Sequence, residues 1–383
     1  MAITTKSLDN AGDERVARAG FVRGMFRRVE IGALIGAVVV WLFFAIITPN
    51  NWISIVGISR ILDPASTLGI MAIAVALLMI GGEFDLSTGV MIGTTGLVAG
   101  LLSTRMGWDL WAAMLAALVF ALIVGYLNGF MVIKTGLPSF IVTLATFFIL
   151  RGANVGVTRL VTSQVYVGSI DKAAGFDTAR KFFNDGVRLA DMDWWSSIAD
   201  RLGGIETFNR LGAVEWRTSI VWWILITILA TWVLLRTKYG SWIFAVGGDA
   251  EAARKVGVPA SRVKIALFMT TAVAAWLVGM MYVVRLRSAV ASQGIGQEFV
   301  FIIAATIGGT LLTGGYGSAV GAAIGAVIFG MAQVGIVFAG WDTDWFYSFL
   351  GVMLLVAVLV NNYTRRRATE MSVASAKVRT EGS

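Results

Sequence analysis

The chain has 383 residues, of which 57% are hydrophobic and only 14% charged, with a formal net charge of +8 and a mean hydropathy of +0.79. Soluble domains average about 45–50% apolar and about 25% charged residues, so this composition is that of an integral membrane protein. There is no Cys and no His, which excludes disulfide frameworks, zinc sites, Cys–His dyads and Ser–His–Asp triads.

About ten apolar segments of near-spanning length follow one another. They cover Ile31–Thr48, Ile61–Ile80, Leu86–Leu102, Leu110–Ile133 and Leu137–Val157, then, beyond a polar stretch from Thr158 to Thr218, Ser219–Leu235, Ile265–Val284, Phe299–Leu312, Val320–Ala339 and Trp345–Val360. The chain thus divides into a basic N-tail (1–30), a polytopic body (31–362) and a basic C-tail (363–383) expected to be disordered. The first run is too long for a typical signal core and no A-x-A-like site follows it, so it reads as an uncleaved span. The four prolines, Pro49, Pro64, Pro138 and Pro259, are expected near helix ends.

The excess positive charge sits in loops flanking the apolar runs, which makes it a topology signal rather than a nucleic-acid footprint. With the N-terminus inside, 18 Lys and Arg fall on the cytoplasmic side and four (Arg60, Arg105, Arg285, Arg287) in short outer loops. The remaining nine lie in the long 151–217 stretch, which counts little because long segments translocate despite their charge. Both termini are therefore expected in the cytoplasm, with an even number of spans.

The spacing Gly81-x7-Gly89-x3-Gly93 recurs as Gly309-x7-Gly317-x3-Gly321. Glycine-interrupted spans in two halves of a chain point to a two-half internal repeat and a transport pathway. The bland reading of Gly89, Gly93, Gly317, Gly321 and Gly325 is close helix packing.

Between two long apolar runs lies RTKYGSWIFAVGGDAEAARKVGVPASRVK, Arg236 to Lys264. Asp249 is placed to cap a short helix, Glu251 sits in its first turn, Ala252 inside it, Arg254 and Lys255 in its last turn, Gly257 at C′, and Pro259 blocks continuation. About two turns are marginal alone, so the segment reads either as a well-capped solvated loop or as a surface that a cytoplasmic partner pushes on. No Gly-Lys dipeptide exists, so there is no Walker A loop; if ATP drives this protein, the ATPase is another chain.

Glu83, Asp85 and Ser87 sit where two apolar runs meet. Each carboxylate would cost roughly 2.5–3.5 kcal/mol at mid-bilayer, so they cap the next helix, Asp85 above all, or line a polar path. Thr143, Thr146, Arg151 and Asn154 share one side of the fifth segment, with Phe140, Phe147 and Phe148 nearby. Hydroxyl, amide and aromatic groups together suit a neutral sugar, and polar helix packing is the commoner use of such residues; Asn128 carries the same two readings.

The motifs together resemble one family. GGEFDLSTG, KTGLPSFIVTLATFFILRG, VGGDAEAARKVGVPASRVK and IGGTLLTGGYGSAVGAAIGAV are similar, in order, to segments of the permease subunits of bacterial monosaccharide ABC importers of the ribose/xylose/fructose branch, and VLVNN to their closing span. The resemblance covers Ile61 to Asn362. It implies an all-α permease of about ten membrane helices in the bacterial inner membrane, without enzymatic activity. It implies a second permease copy, two cytoplasmic ATPase units, often fused in tandem, which hold the ATP and Mg, and a periplasmic sugar-binding protein. No cofactor is expected on this chain. In that frame Asp249, Glu251, Ala252, Arg254, Lys255 and Gly257 would seat in the ATPase. The sequence departs from the family in the extra residue and carboxylate of Glu83-Phe84 before Asp85, and in the length of the 158–218 stretch. The amphipathic part of that stretch is expected to pack on the outer face and meet the binding protein. Alternatives are an ABC permease for another small polar ligand, such as a branched amino acid, a nucleoside or a furanose signal, and a self-sufficient secondary transporter.

Overall fold

The computed structural model describes residues 29–201, 206–356 and 359. Residues 1–28 of the expected N-tail and the whole expected C-tail lie outside the described residues. The molecule is an α-helical bundle, and each of the ten apolar segments is a helix. In chain order these are α1 (Val29–Ile47), α2 (Ile55–Ile80), α3 (Thr88–Arg105), α4 (Leu110–Thr135) and α5 (Ser139–Thr162). After an excursion containing α6 (Phe176–Asn184) come α7 (Thr218–Arg236), the short α8 (Lys238–Gly248) and α9 (Ala250–Lys255), then α10 (Ala260–Leu286), α11 (Gln297–Ile307) and α12 (Ala319–Phe338). A last apolar helix, α13, covers Trp345–Val356. Seven of these, α1, α2, α4, α5, α7, α10 and α12, are long and apolar enough to cross a membrane. The chain is an integral membrane protein, and its helix α3 is polar by comparison because glycine and threonine replace larger apolar residues.

Two helices form the centre. Every residue of α2 from Ala65 to Ile80 is buried, and α10 is buried along most of its length. Their partners are exchanged between the halves of the chain: α2 packs chiefly against α12, and α10 against α4 and α3. The outer helices do the reverse of a soluble protein. Leu115, Val119 and Ile123 of α4 and Leu225, Ile228 and Leu229 of α7 are half exposed or more, which suits a hydrocarbon solvent.

Three sequence expectations are corrected here. Pro64 does not mark a helix end: α2 begins six residues before Ile61 and carries Pro64 inside it, and Ser66 and Thr67 turn their hydroxyls back onto the Asp63 and Pro64 carbonyls. Arg60 and Arg285, counted as loop residues, belong to α2 and the last turn of α10. The glycine repeat, moreover, does not mark equivalent positions. Gly89 lies in the first turn of α3, whereas Gly317 precedes the Ser318 cap of α12. The shared feature is Ile-Gly-Gly, Ile80–Gly82 and Ile307–Gly309, which ends α2 and α11 in the same way. In both, the second glycine has positive φ, +83° and +90°, and the next amide bonds five residues back, Glu83 to Leu78 and Thr310 to Ala305, a Schellman-type ending.

The described residues of the polar stretch contribute to two short strand pairs. β1 (Tyr166–Val167) pairs antiparallel with β4 (Ala289–Val290), and β2 (Gly186–Arg188) with β3 (Glu215–Arg217). α6 docks on α7 and α10 through Phe183, which is buried, and through the Trp222 indole, whose Nε1 donates to the Phe182 carbonyl at 2.9 Å.

Candidate functional site

The break between α2 and α3 is built from Gly81 to Ser87. Its backbone cannot complete a helical ladder, so it borrows side chains. The Phe84 amide donates to Ser139 Oγ and the Leu86 amide to Thr143 Oγ1, both at 3.1 Å. α5 therefore holds the break by its first turns.

Asp85 is 3% exposed and is not the N-cap of α3. That position belongs to Ser87, whose side chain makes no capping bond. Asp85 instead forms a turn two residues earlier, its Oδ1 accepting from the Ser87 amide at 2.9 Å and from Ser87 Oγ at 2.6 Å. Its Oδ2 accepts from Thr271 Oγ1 of α10 at 2.9 Å. The chain continues outward: Asn128 Nδ2 donates to Ser87 Oγ at 3.0 Å, and Thr146 Oγ1 donates to Asn128 Oδ1 at 2.6 Å. One connected network thus joins α10, the break, α4 and α5, buried from Thr271 to Asn128 and half-buried at Thr146. Buried polar groups require such partners.

Glu83 faces elsewhere. It is 8% exposed and ion-paired to Lys264 in the first turns of α10. The extra carboxylate that distinguishes this sequence therefore has its own counter-ion, which apolar patterning gave no reason to select. Ser139, Lys264 and Thr271 are the members of this site that sequence reasoning missed. The signal was available for Lys264, a cation one residue before an apolar run.

Of the other path candidates, Phe147 and Asn154 are buried, and Asn154 Nδ2 lacks a hydrogen-bond partner. Phe140 and Arg151 are exposed on α5. The structure thus brings Asp85, Ser87, Asn128, Thr143 and Thr146 together and leaves Phe140 and Arg151 apart from them.

The segment after α8 is formed as its residues dictate. Asp249 Oδ1 accepts from the amides of Glu251 and Ala252, each at 2.9 Å. The far end closes with Gly257 at φ +87°, its amide donating to the Arg254 carbonyl and that of Val258 to the Ala253 carbonyl, both at 3.0 Å. Lys255 pairs with Glu251 at 3.1 Å on the open surface, an interaction of little energetic weight. Ala253 is buried, while Val256 is 80% exposed. Tyr239 of α8 reaches the Val263 carbonyl; burial pushes its phenol pKa up, so it stays a donor at neutral pH.

The end of α8, just before this segment, and the break touch through backbone. The Gly315 amide donates to the Ile80 carbonyl at 2.8 Å. A Cβ on Gly314 would lie 2.6 Å from the Gly247 carbonyl oxygen and 2.9 Å from Gly82 Cα. The ends of α2 and α8 and the loop after α11 meet at glycines because side chains would separate them. Gly321 of α12 approaches Gly308 in the same manner, and Gly89, Gly93, Gly317 and Gly325 also sit against neighbouring chain with no room for a Cβ.

A protein-family profile, the branched-chain amino acid transport system / permease component, matches residues 57–358. The chain belongs to this family. As a transport-system permease component it is a multi-pass protein of the bacterial inner membrane and not an enzyme, and it works with other chains. It is 30% identical over 374 residues to the xylose transport system permease of Escherichia coli K12, covering 89% of this chain and 93% of that protein. It is 31% identical over 337 residues to the ribose import permease of the same organism, covering 87% and 94%. It is 28% identical to the fructose import permease of Rhizobium meliloti over 85% of this chain and 83% of that one. No solved structure gives a significant match. Among the described residues no group of His, Cys, Asp and Glu could hold a metal ion.

Proposed function

We propose that this chain is the membrane permease of an ATP-driven importer of a monosaccharide of the xylose, ribose or fructose kind. Two copies work with a pair of cytoplasmic ATPase units, separate or fused in tandem, which bind ATP and Mg, and with a periplasmic sugar-binding protein. The observation that carries the driven reading is the doubly capped helix α9, which exposes Val256 at its end while the end of α8 just before it abuts the break through Gly247. A helix of this length is marginal alone, and a groove of the ATPase would stabilise it. Closure of the ATPase then displaces α9, and the glycine contacts and the Glu83–Lys264 pair pass that displacement to α2, α10 and the loop before α12. The sugar reading rests on the relatives, most of whose length this chain covers, and not on the broad family description. In this reading Asp249, Glu251, Ala252, Arg254, Lys255 and Gly257 form the contact with the ATPase.

The test is uptake of labelled xylose, ribose and fructose into proteoliposomes holding the permease with its ATPase and binding protein. Wild type is compared with Glu251→Ala/Arg254→Ala. ATP-dependent uptake that the double variant loses supports the reading. Uptake without ATP, or indifference to the substitution, points to a secondary transporter instead.

A further inference from the structure

A cavity of about 750 Å³ lies between the first turns of α2, the last turns of α10, the start of α11 and the last turns of α12. None of the residues nominated from sequence lines it. α10 begins beside α9 at Ala260, and the cavity meets α10 only from Val278 onward. At 1.5 Å per residue that is some 27 Å along the helix axis, so the cavity belongs to the end of the bundle opposite the α9 segment. Between the cavity and that segment α2 is buried without interruption from Ala65 to Ile80.

The lining has a specific chemistry. Asp63 and Arg285 face each other in two parallel hydrogen bonds of 2.9 Å, so their charges cancel in place, and the guanidinium of Arg60, the other charged group of the lining, lies over the Phe338 ring at 5.9 Å. Three glutamines, Gln293, Gln297 and Gln333, present amides to the space. Among the described residues no protein group is found holding the side-chain amides of Gln293 and Gln333. Aromatic rings complete the wall, with Phe329 and Phe346 packed edge to face at 4.9 Å. The volume falls within the roughly 300–1,000 Å³ usual for small-molecule sites. Neutral amides both donate and accept, as an array of hydroxyl groups requires, and aromatic faces suit the apolar face of a sugar ring.

We infer that this cavity is the resting site of a neutral monosaccharide inside the permease, with Gln293, Gln297 and Gln333 as its hydrogen-bonding groups. The inference rests on the sugar-importer reading and adds where the sugar sits. It places the sugar at the end of α10 remote from α9, with the Asp85 network and the glycine junction between it and the cytoplasm.

Two measurements test it in the complete reconstituted complex. In the first, Gln297→Leu/Gln333→Leu is compared with wild type for ATP-driven uptake of the three labelled sugars and for ATPase stimulation by loaded binding protein. Uptake is expected to fall about tenfold or more, the scale of losing hydrogen bonds at a polar site, with stimulation retained. In the second, the absence of Cys from the chain allows Gln333→Cys to be labelled with a small maleimide. Labelling is expected to slow when sugar-loaded binding protein is present and to be unchanged by the empty one. Wild-type uptake in the leucine variant, or labelling at position 333 that ignores sugar, overturns the cavity assignment and leaves the importer reading intact. Wild type that takes up none of the three sugars with ATP overturns the importer reading itself.

Discussion

The amide of Gly315 donates a 2.8 Å hydrogen bond to the carbonyl of Ile80, tying the loop before α12 to the last residue of α2. These residues lie in opposite halves of the chain, and the same carbonyl lies against Gly247 at the end of α8. Three segments are thus joined by backbone rather than by deformable side chains. Interfaces of this kind favour discrete over gradual displacement.

That contact makes Gly247 sensitive and its neighbour insensitive. A Cβ on Gly247 meets the Ile80 carbonyl and, at 2.7 Å, the Gly315 amide nitrogen, whereas one on Gly248 meets nothing within 4 Å. Gly247→Ala is expected to cost about 1–3 kcal/mol through overpacking and to depress uptake. Gly248→Ala should match wild type. Thermal unfolding in detergent and uptake in proteoliposomes read the pair, and equal behaviour of the two would remove the junction from the mechanism.

Lys264 and Glu83 are a largely buried ion pair, with side-chain exposures of 15% and 10%. Removing one partner strands the other, at about 3–5 kcal/mol, while replacing both can be nearly neutral. Lys264→Met is therefore expected to lower the melting temperature clearly, and Glu83→Gln/Lys264→Met to recover most of the loss. A double variant as unstable as the single one would show that Lys264 acts by packing and not by charge.

The α9 cap predicts a separation of ATP hydrolysis from transport. Asp249→Ala removes both capping bonds, and caps are worth about 1 kcal/mol, within a range of about 0.5–2, a large share of the stability of so short a helix. ATPase binding should weaken and less sugar should move per ATP hydrolysed, with Asn at the same position close to wild type. An unchanged ratio of sugar moved to ATP hydrolysed would argue that α9 folds regardless of its cap.

The excursion from Leu189 to Val214 leaves and returns through paired strands, Gly186–Arg188 against Glu215–Arg217. Because this ladder closes its base, deletion of Asp191–Gly212 is expected to spare membrane insertion and the bundle. Docking of the binding protein, measured by pull-down from proteoliposomes, should weaken. Full docking and full uptake after the deletion would show that the excursion serves neither.

Sequence alone established the membrane class, the ten helical segments and the capped α9, because each depends on local composition: apolar runs, an Asp before three free amides, a glycine where φ turns positive. It also singled out Asp85, Ser87, Asn128, Thr143 and Thr146, since polar side chains inside apolar runs stand out one at a time. What they bond to was decided only by the tertiary structure. Thr271 and Lys264 lie 186 and 181 residues from Asp85 and Glu83, and no periodicity records such a distance. The glycine spacing misled for the same reason: Ile80–Gly82 and Ile307–Gly309 end their helices alike, yet the linkers that follow differ in length. The cavity was invisible because its lining comes from the ends of several helices, brought together only when α2 and α10 exchange partners between the two halves.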